Sequence, residues 1–283
     1  MSFPLPTIAA SILTFTGMGF PSSLDKIDRL IRNNATNPVM LTALINGDPL
    51  LTAQILGQSN STSPQEIIRL GPAITYLGMG SVHGIIRSTK PIPTALRAQL
   101  ATCWALSSNC AHMTGLVLRQ CHRKITEHLD PTTLFNAGLL HDLGHIIALI
   151  TYPEEYQAAA KLLSPTSPAF DRLLREHIGA DPVTLGTLLA TYWRLPSPFV
   201  SAIRFHQTPL RAEGFQDLVA IVHLSRCLVR ALGFTAGADR YIEPLDEAIF
   251  DYLGLPFSAI ESILTQFYDQ MNDLEMYEVG MMA

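Results

Sequence analysis

The feature that most limits the fold of this chain is a recurring dipeptide in which a helix-capping residue precedes proline. The side-chain oxygen of the first residue accepts a hydrogen bond from a free backbone N–H, and proline fits the first helical position, where no N–H donor is needed. The pattern therefore predicts helix starts along most of the chain. It occurs at Asn37-Pro38, Asp48-Pro49, Ser63-Pro64, Asp130-Pro131, Ser167-Pro168, Asp181-Pro182 and Ser197-Pro198.

Between these starts, apolar residues recur at intervals of three and four, as in Leu24, Ile27 and Ile31, and no segment alternates as a strand would. Apolar residues make up 48% of the chain and charged residues only 15%. This composition excludes a disordered polypeptide and requires a large buried core. We therefore predict an all-α fold.

The domain organisation follows from one long segment and one break. Residues Thr94 to His122 contain no proline and predict a long central helix. The preceding Lys90–Pro93 segment holds two prolines and cannot be regular helix. We predict an N-terminal helical subdomain over residues 1–93 and a second helical subdomain over residues 94–283.

Charge and cysteine usage limit the partners and the compartment. The net charge is −5, and no run of five Lys or Arg residues is present, which argues against a nucleic-acid or anionic-membrane partner. Four cysteines without a CxxC pair indicate a reducing compartment, and the first residues lack the features of a signal peptide. We expect a cytoplasmic protein. The 210–218 and 232–242 stretches are predicted to be surface connections.

The apolar stretch from Leu134 to Tyr152 contains ionisable residues that are candidates for metal binding or catalysis. His141 and Asp142 are adjacent inside it, and His145 follows one helical turn later. These polar residues interrupt the apolar run, so we predict one buried helix with polar inserts and no membrane span. An imidazole nitrogen beside a carboxylate can hold a divalent metal that activates water. The same two side chains can equally form hydrogen bonds with each other and with free backbone groups at nearby helix ends, without any metal.

The string Gly138-Leu-Leu-His-Asp-Leu-Gly144 resembles the HD superfamily of metal-dependent phosphohydrolases. The surrounding chain resembles more specifically the HDOD family, the HD-related output domains of bacterial signalling proteins. The resemblance covers roughly residues 5–210. Its other segments are Leu5–Ile8, Asp48–Ala53 with Ser59–Ser61, Ala73-Ile74 with Leu77-Gly78, Trp104 with Ser107, and Trp193–Pro196 followed by Ala202-Ile203 and His206.

This resemblance implies an all-helical module of two packed parts, the second similar to an HD domain. The chain departs from the HD pattern at positions that supply metal ligands, where it has Leu106, Pro182 and, in the late helix, Arg226. The paired histidines of the pattern are here His206-Gln207. A fixed positive charge at Arg226 opposes a dication. The alignment thus implies no catalytic residue, no cofactor and no metal at His141 and Asp142, although these two remain the candidate ligands.

Two functional hypotheses follow. The preferred one is a non-catalytic signal-transduction module that binds a signalling protein or a small molecule. The alternative is a divergent metal-dependent HD phosphohydrolase acting on a nucleotide or cyclic dinucleotide. Because ligand sites favour the junction of packed units, we expect a partner groove between the two parts. Its predicted binding residues are His141, Asp142, His145 and His206.

Overall fold

The computed structural model describes residues 5–13, 15, 17–32, 37–164, 166–167, 169–242, 245 and 247–282, and these residues confirm the all-α fold class. Among these residues, the N-terminal part has six helices and two very short strands. They are α1 (Leu5–Leu13), β1 (Met18–Gly19), α2 (Pro21–Arg32), α3 (Pro38–Ile45), α4 (Pro49–Thr62), α5 (Leu70–Leu77), α6 (Met79–Ser88) and β2 (Lys90–Pro91).

The second part is built around the predicted central helix, which begins at Thr94 and ends at Gln120. Its helices are α7 (Thr94–Gln120), α8 (Arg123–Thr126), α9 (Pro131–Leu140), α10 (Leu143–Thr151), α11 (Pro153–Lys161), α12 (Phe170–Ile178), α13 (Pro182–Tyr192), α14 (Ser197–Phe205), a 3-10 turn (Pro209–Arg211), α15 (Gln216–Ala231), α16 (Glu247–Leu253) and α17 (Ala259–Met282).

The prediction that the chain forms no strand needs a small correction. β1 and β2 pair in parallel, with Met18 opposite Lys90 and Gly19 opposite Pro91. Two residues are too few to produce a period-two pattern in the sequence. The strand β2 lies in the segment predicted to be non-helical, and α7 starts immediately after it. The division of the chain at residues 93 and 94 stays a prediction.

The capping rule holds where a short polar side chain reaches the next turn. The side chains of Asn37, Asp48, Asp130 and Asp181 each accept from a backbone N–H two or three residues ahead. The predicted start at Ser63 is wrong, because α4 ends at Thr62 and the Ser63 hydroxyl donates to the Gln65 carbonyl. The predicted start at Ser167-Pro168 depends on Pro168, which lies outside the described residues.

Helix α14 begins at Ser197, as predicted. Its first residue is hydrogen-bonded by a side chain from the N-terminal part. Glu66 Oε1 accepts the backbone N–H of Ser197 at 2.7 Å, and Oε2 accepts the Ser197 hydroxyl at 2.9 Å. Nearby, the Arg194 guanidinium donates to the Ser61 carbonyl at 3.2 Å. A carboxylate at a helix N-terminus is favourable for the helix dipole. These bonds join the two parts of the molecule.

The apolar stretch predicted as one helix is two, α9 and α10, interrupted at His141 and Asp142. The His141 ring bonds the Gly138 carbonyl, which a continuous helix would offer to the backbone N–H of Asp142. By length and composition, Pro131–Thr151 is the one candidate membrane span in the described part of the chain. Of its most apolar window, 83% is buried inside the protein, as is usual for a core helix.

The helices pack in layers around α7, which contacts α9, α10, α15 and α17. Helix α10 packs against α13, and α11 packs against α12. In the N-terminal part, α5 contacts α3, α4 and α6, while α1 leaves this part to pack on α13. The turn between α9 and α10 is consequently enclosed by helices on several sides.

Two cysteines on α7, Cys103 and Cys110, form part of the core together with Cys121, the residue that caps the end of this helix. These three and Cys227 are free thiols and all are buried. Burial raises the pKa of Cys121 to about 12 and raises the pKa values of Cys103 and Cys110 further. Their thiolate forms are therefore suppressed at neutral pH.

We expect the folded protein to resist thiol reagents at neutral pH. A colorimetric disulfide reagent should label the native chain only slowly and should label all four cysteines once denaturant is added. A native protein that releases several equivalents of chromophore within seconds would contradict the buried placement of these thiols.

Candidate functional site

The turn between α9 and α10 brings the four predicted binding residues together. His141 and Asp142 form the turn, His145 lies in the first turn of α10, and His206 is the C-cap residue of α14. The rings of His141 and His206 meet edge to face with centroids 5.2 Å apart. His145 Nε2 lies 4.0 Å from Asp142 Oδ1.

The expectation that these four residues line an open groove is wrong. Their exposed fractions are 1%, 2%, 0% and 2% for His141, Asp142, His145 and His206. The Phe170 ring stacks on His145 with centroids 6.1 Å apart, and the α10–α13 and α14–α9 contacts close the other sides. The set is part of the core, and its role in binding is not tested by this placement.

Two surface grooves do lie between the two parts of the molecule. One has a volume of about 490 Å³ and is lined by Glu66 together with residues of α13, α14 and the 213–215 segment. The other, of about 430 Å³, lies between Gln54, Gln58 and Trp193. None of the four predicted binding residues lines either groove.

His141 is held as a neutral imidazole. Burial lowers its pKa to about 3, and the charges of His206 and Arg226 lower it too, against the opposing effect of Asp142. Nδ1 lies 2.7 Å from the Gly138 carbonyl, so this nitrogen carries the proton. Nε2 is buried and has no hydrogen-bond partner among the described residues.

The residues present do not fit the metal centre that the HD fold implies. Arg226 is 1% exposed, and its positive charge is felt at His141. At the second aligned position, the backbone of Pro182 packs directly on Gly144, and proline offers no side-chain ligand. Within the described residues, the group with three donor atoms inside 4.8 Å of one another contains neither His141 nor Asp142.

His145 has the opposite electrostatic environment from His141. Burial alone would lower the pKa of its ring, but the carboxylates of Asp142, Asp171 and Asp239 raise it to about 9. Its Nε2 forms an ion pair with Asp171 Oδ1 at 3.2 Å. The pKa of Asp171, which burial would raise, is held well below its usual range by His145 and by the Gln207 amide. His145 is therefore positively charged at neutral pH.

The segment after α15 was expected to be a surface connection, and this is wrong for its central residues. Ala236 is fully buried and Asp239 is 5% exposed. Arg230 donates to Asp239 Oδ2 at 2.7 Å and to the Tyr241 carbonyl at 2.7 Å. The Tyr156 hydroxyl donates to the Ala236 carbonyl at 3.2 Å. These bonds fold the segment inward and bring Asp239 to His145.

Asp171 and Asp239 are site residues that the sequence interpretation missed. Asp171 lies in the first turn of α12, which also carries Arg172, Arg175 and Glu176, a pattern typical of a solvated face. Asp239 lies in a segment rich in small residues with no apolar periodicity. No local signal in either segment points to His145, because both contacts depend on long-range packing.

Comparisons with known proteins identify the family and agree with the all-α fold. A family model described as HDOD domain matches residues 19–209. A protein of Treponema pallidum is 24% identical over 224 residues, which are 75% of this chain and 42% of that protein. The chain thus spans about two-fifths of that relative's length.

Solved structures share the fold. The MmoQ response regulator from Methylococcus capsulatus superposes with a TM-score of 0.69 at 22% identity, covering 89% of this chain and 99% of that one. A virulence factor from Campylobacter jejuni gives a TM-score of 0.64 at 18% identity, covering 94% and 98% of the two chains.

Proposed function

This chain belongs to the HDOD family, and from that premise we propose that it is a regulatory signal-transduction module that binds a protein or small-molecule partner without hydrolysing phosphoesters. The observation that carries the proposal is the enclosure of the His–Asp pair. His141 and Asp142 are 1% and 2% exposed, and Arg226 places a buried positive charge beside them. Hydrolysis of a phosphoester by an HD site needs substrate access to the site and a bound metal. The burial of the pair and the charge of Arg226 oppose both.

The partner contacts the surface between the two parts. The groove that includes Glu66 and α14 combines apolar walls, such as Val200 and Phe205, with the charged side chains of Arg204 and Glu213. Such a mixture suits a peptide segment or a small polar ligand. We place the interaction in the cytoplasm, with no nucleic acid and no membrane involved.

We expect no metal-dependent phosphohydrolase activity. The full chain is incubated with Mn²⁺, Fe²⁺ or Mg²⁺ and with bis-p-nitrophenyl phosphate, a nucleotide or a cyclic dinucleotide. Turnover should equal that of the metal and buffer alone and that of the Asp142→Asn variant. Metal-dependent hydrolysis that disappears in Asp142→Asn would establish the alternative, a divergent HD phosphohydrolase.

A matched pair of threonine variants tests whether the partner binds in this groove. Thr191 lines the groove, is exposed, and bonds the carbonyl four residues back at 2.8 Å. Thr265 on α17 is also exposed and bonds its own i−4 carbonyl at 2.9 Å, away from the groove. Thr191→Arg should abolish partner recovery by cross-linking, and Thr265→Arg should not. Equal recovery with both variants would remove the groove as the binding surface.

A further inference from the structure

Three donor groups from separate parts of the chain meet beside the His–Asp pair. His145 comes from α10, Asp171 from the start of α12, and Asp239 from the inward-folded segment after α15. One ligand atom from each lies within 4.8 Å of the other two. Neither the family assignment nor the HD pattern includes this group.

We infer that His145, Asp171 and Asp239 form a binding site for one divalent transition cation, such as Zn²⁺. One imidazole and two carboxylates are ligands that zinc accepts, with a fourth position left for water. In a tetrahedral site with ligand atoms about 2.0–2.1 Å from zinc, neighbouring ligand atoms are about 3.3 Å apart. The 3.2 Å separation of His145 Nε2 and Asp171 Oδ1 matches that distance.

The buried polar atoms of His145 and Asp171 face each other at this point. His145 Nε2 and Asp171 Oδ1 are buried and have only each other as close partner, at 3.2 Å, while His145 Nδ1 is buried with no hydrogen-bond partner among the described residues. A cation bound in place of the ring proton would bond Nε2 and Oδ1 together. The remaining oxygen of Asp171 is held by the Gln207 amide at 2.7 Å, which orients the carboxylate as outer partners of metal ligands do.

The site has a route to solvent and a suitable charge. The side chain of Asp171 is 23% exposed, whereas that of His145 is fully buried, so a cation enters on the Asp171 side. With His145 neutral, the carboxylates of Asp142, Asp171 and Asp239 outnumber the guanidiniums of Arg226 and Arg230 that lie near them. The excess negative charge attracts a cation.

Proton and metal compete for the same nitrogen. A metal needs the lone pair of His145 Nε2, so that nitrogen cannot hold a proton and a metal at once. Binding should therefore release a proton and tighten as the pH rises from 6 to 8.

The test uses the full chain, stripped of metal with a chelator and titrated with Zn²⁺ by calorimetry at several pH values. We expect one Zn²⁺ per chain, proton release, and a higher melting temperature when the metal is bound. Co²⁺ in the same site should give the visible absorption of a tetrahedral nitrogen and oxygen site without a thiolate charge-transfer band. No saturable binding, or a thiolate band, would overturn the inference.

Variants separate this site from the His–Asp pair. Asp171→Asn keeps the shape of a partly exposed side chain but weakens a ligand, and it should reduce Zn²⁺ affinity at least tenfold. His141→Gln should leave the affinity unchanged. If His141→Gln abolishes binding and Asp171→Asn does not, the cation sits at the His–Asp pair and the inference fails. The Co²⁺ spectrum of the unmodified protein needs no variant and decides the ligand type independently.

Discussion

Replacing Gly144 by alanine should destabilise the protein by about 3 kcal/mol and lower the melting temperature by roughly 5–10 °C. A Cβ at this position would lie 1.7 Å from the Pro182 carbonyl oxygen and 2.4 Å from its carbon. Both atoms belong to the backbone of α13, so no side-chain rotation can relieve the clash. Helices α10 and α13 would have to separate, which would disturb the packing around His145.

The matched control is Gly115→Ala in the C-terminal half of α7. A Cβ there has no atom within 4 Å, so the substitution adds helix propensity without a clash. It should stabilise the protein by up to about 1 kcal/mol. Urea unfolding of both variants measures the difference. If Gly144→Ala unfolds at the same urea concentration as the unmodified protein, the close contact between α10 and α13 is wrong.

The sequence predicts helix starts well where the signal is local. Asn37, Asp48, Asp130 and Asp181 each satisfy an N–H in their own next turn, so the residues that make the bond are also the residues that form the pattern. Ser63 fails because the same dipeptide can follow a helix that has already begun at Pro49. A local pattern cannot distinguish these two cases, since the outcome depends on how α4 packs.

The candidate site also combines features that the local sequence predicts with features that it does not predict. His141 and Asp142 are visible in the sequence because two ionisable residues stand out in an apolar run. Their enclosure is not visible, because it comes from helices such as α13 and α14 that are distant in sequence. The charge of His145 likewise depends on Asp171 and Asp239, neither of which has a local signal. Tertiary contacts, and not the motif, therefore give His141 and His145 opposite charge states.

Replacing Asp239 by alanine in the metal-free protein should cost about 3–5 kcal/mol of unfolding free energy. Asp239 pairs with Arg230 at 2.7 Å, and their side chains are only 7% and 1% exposed. Removing the carboxylate leaves the buried guanidinium of Arg230 without a counter-charge. The free-energy cost of that unpaired charge exceeds the net stabilisation that the intact pair provides. The matched control is Glu127→Ala, which breaks the Arg123–Glu127 pair of the same length.

Because Arg123 and Glu127 are 90% and 61% exposed, their loss should cause no measurable change in stability. A double variant, Asp239→Leu with Arg230→Met, identifies the cause of the large effect. If the cost arises from the stranded charge, the double variant should recover most of the stability lost in Asp239→Ala, since apolar residues can replace a buried ion pair at little cost. If the double variant is as unstable as Asp239→Ala, the cost instead comes from the loss of the backbone bonds that Arg230 and Asp239 make to Tyr241.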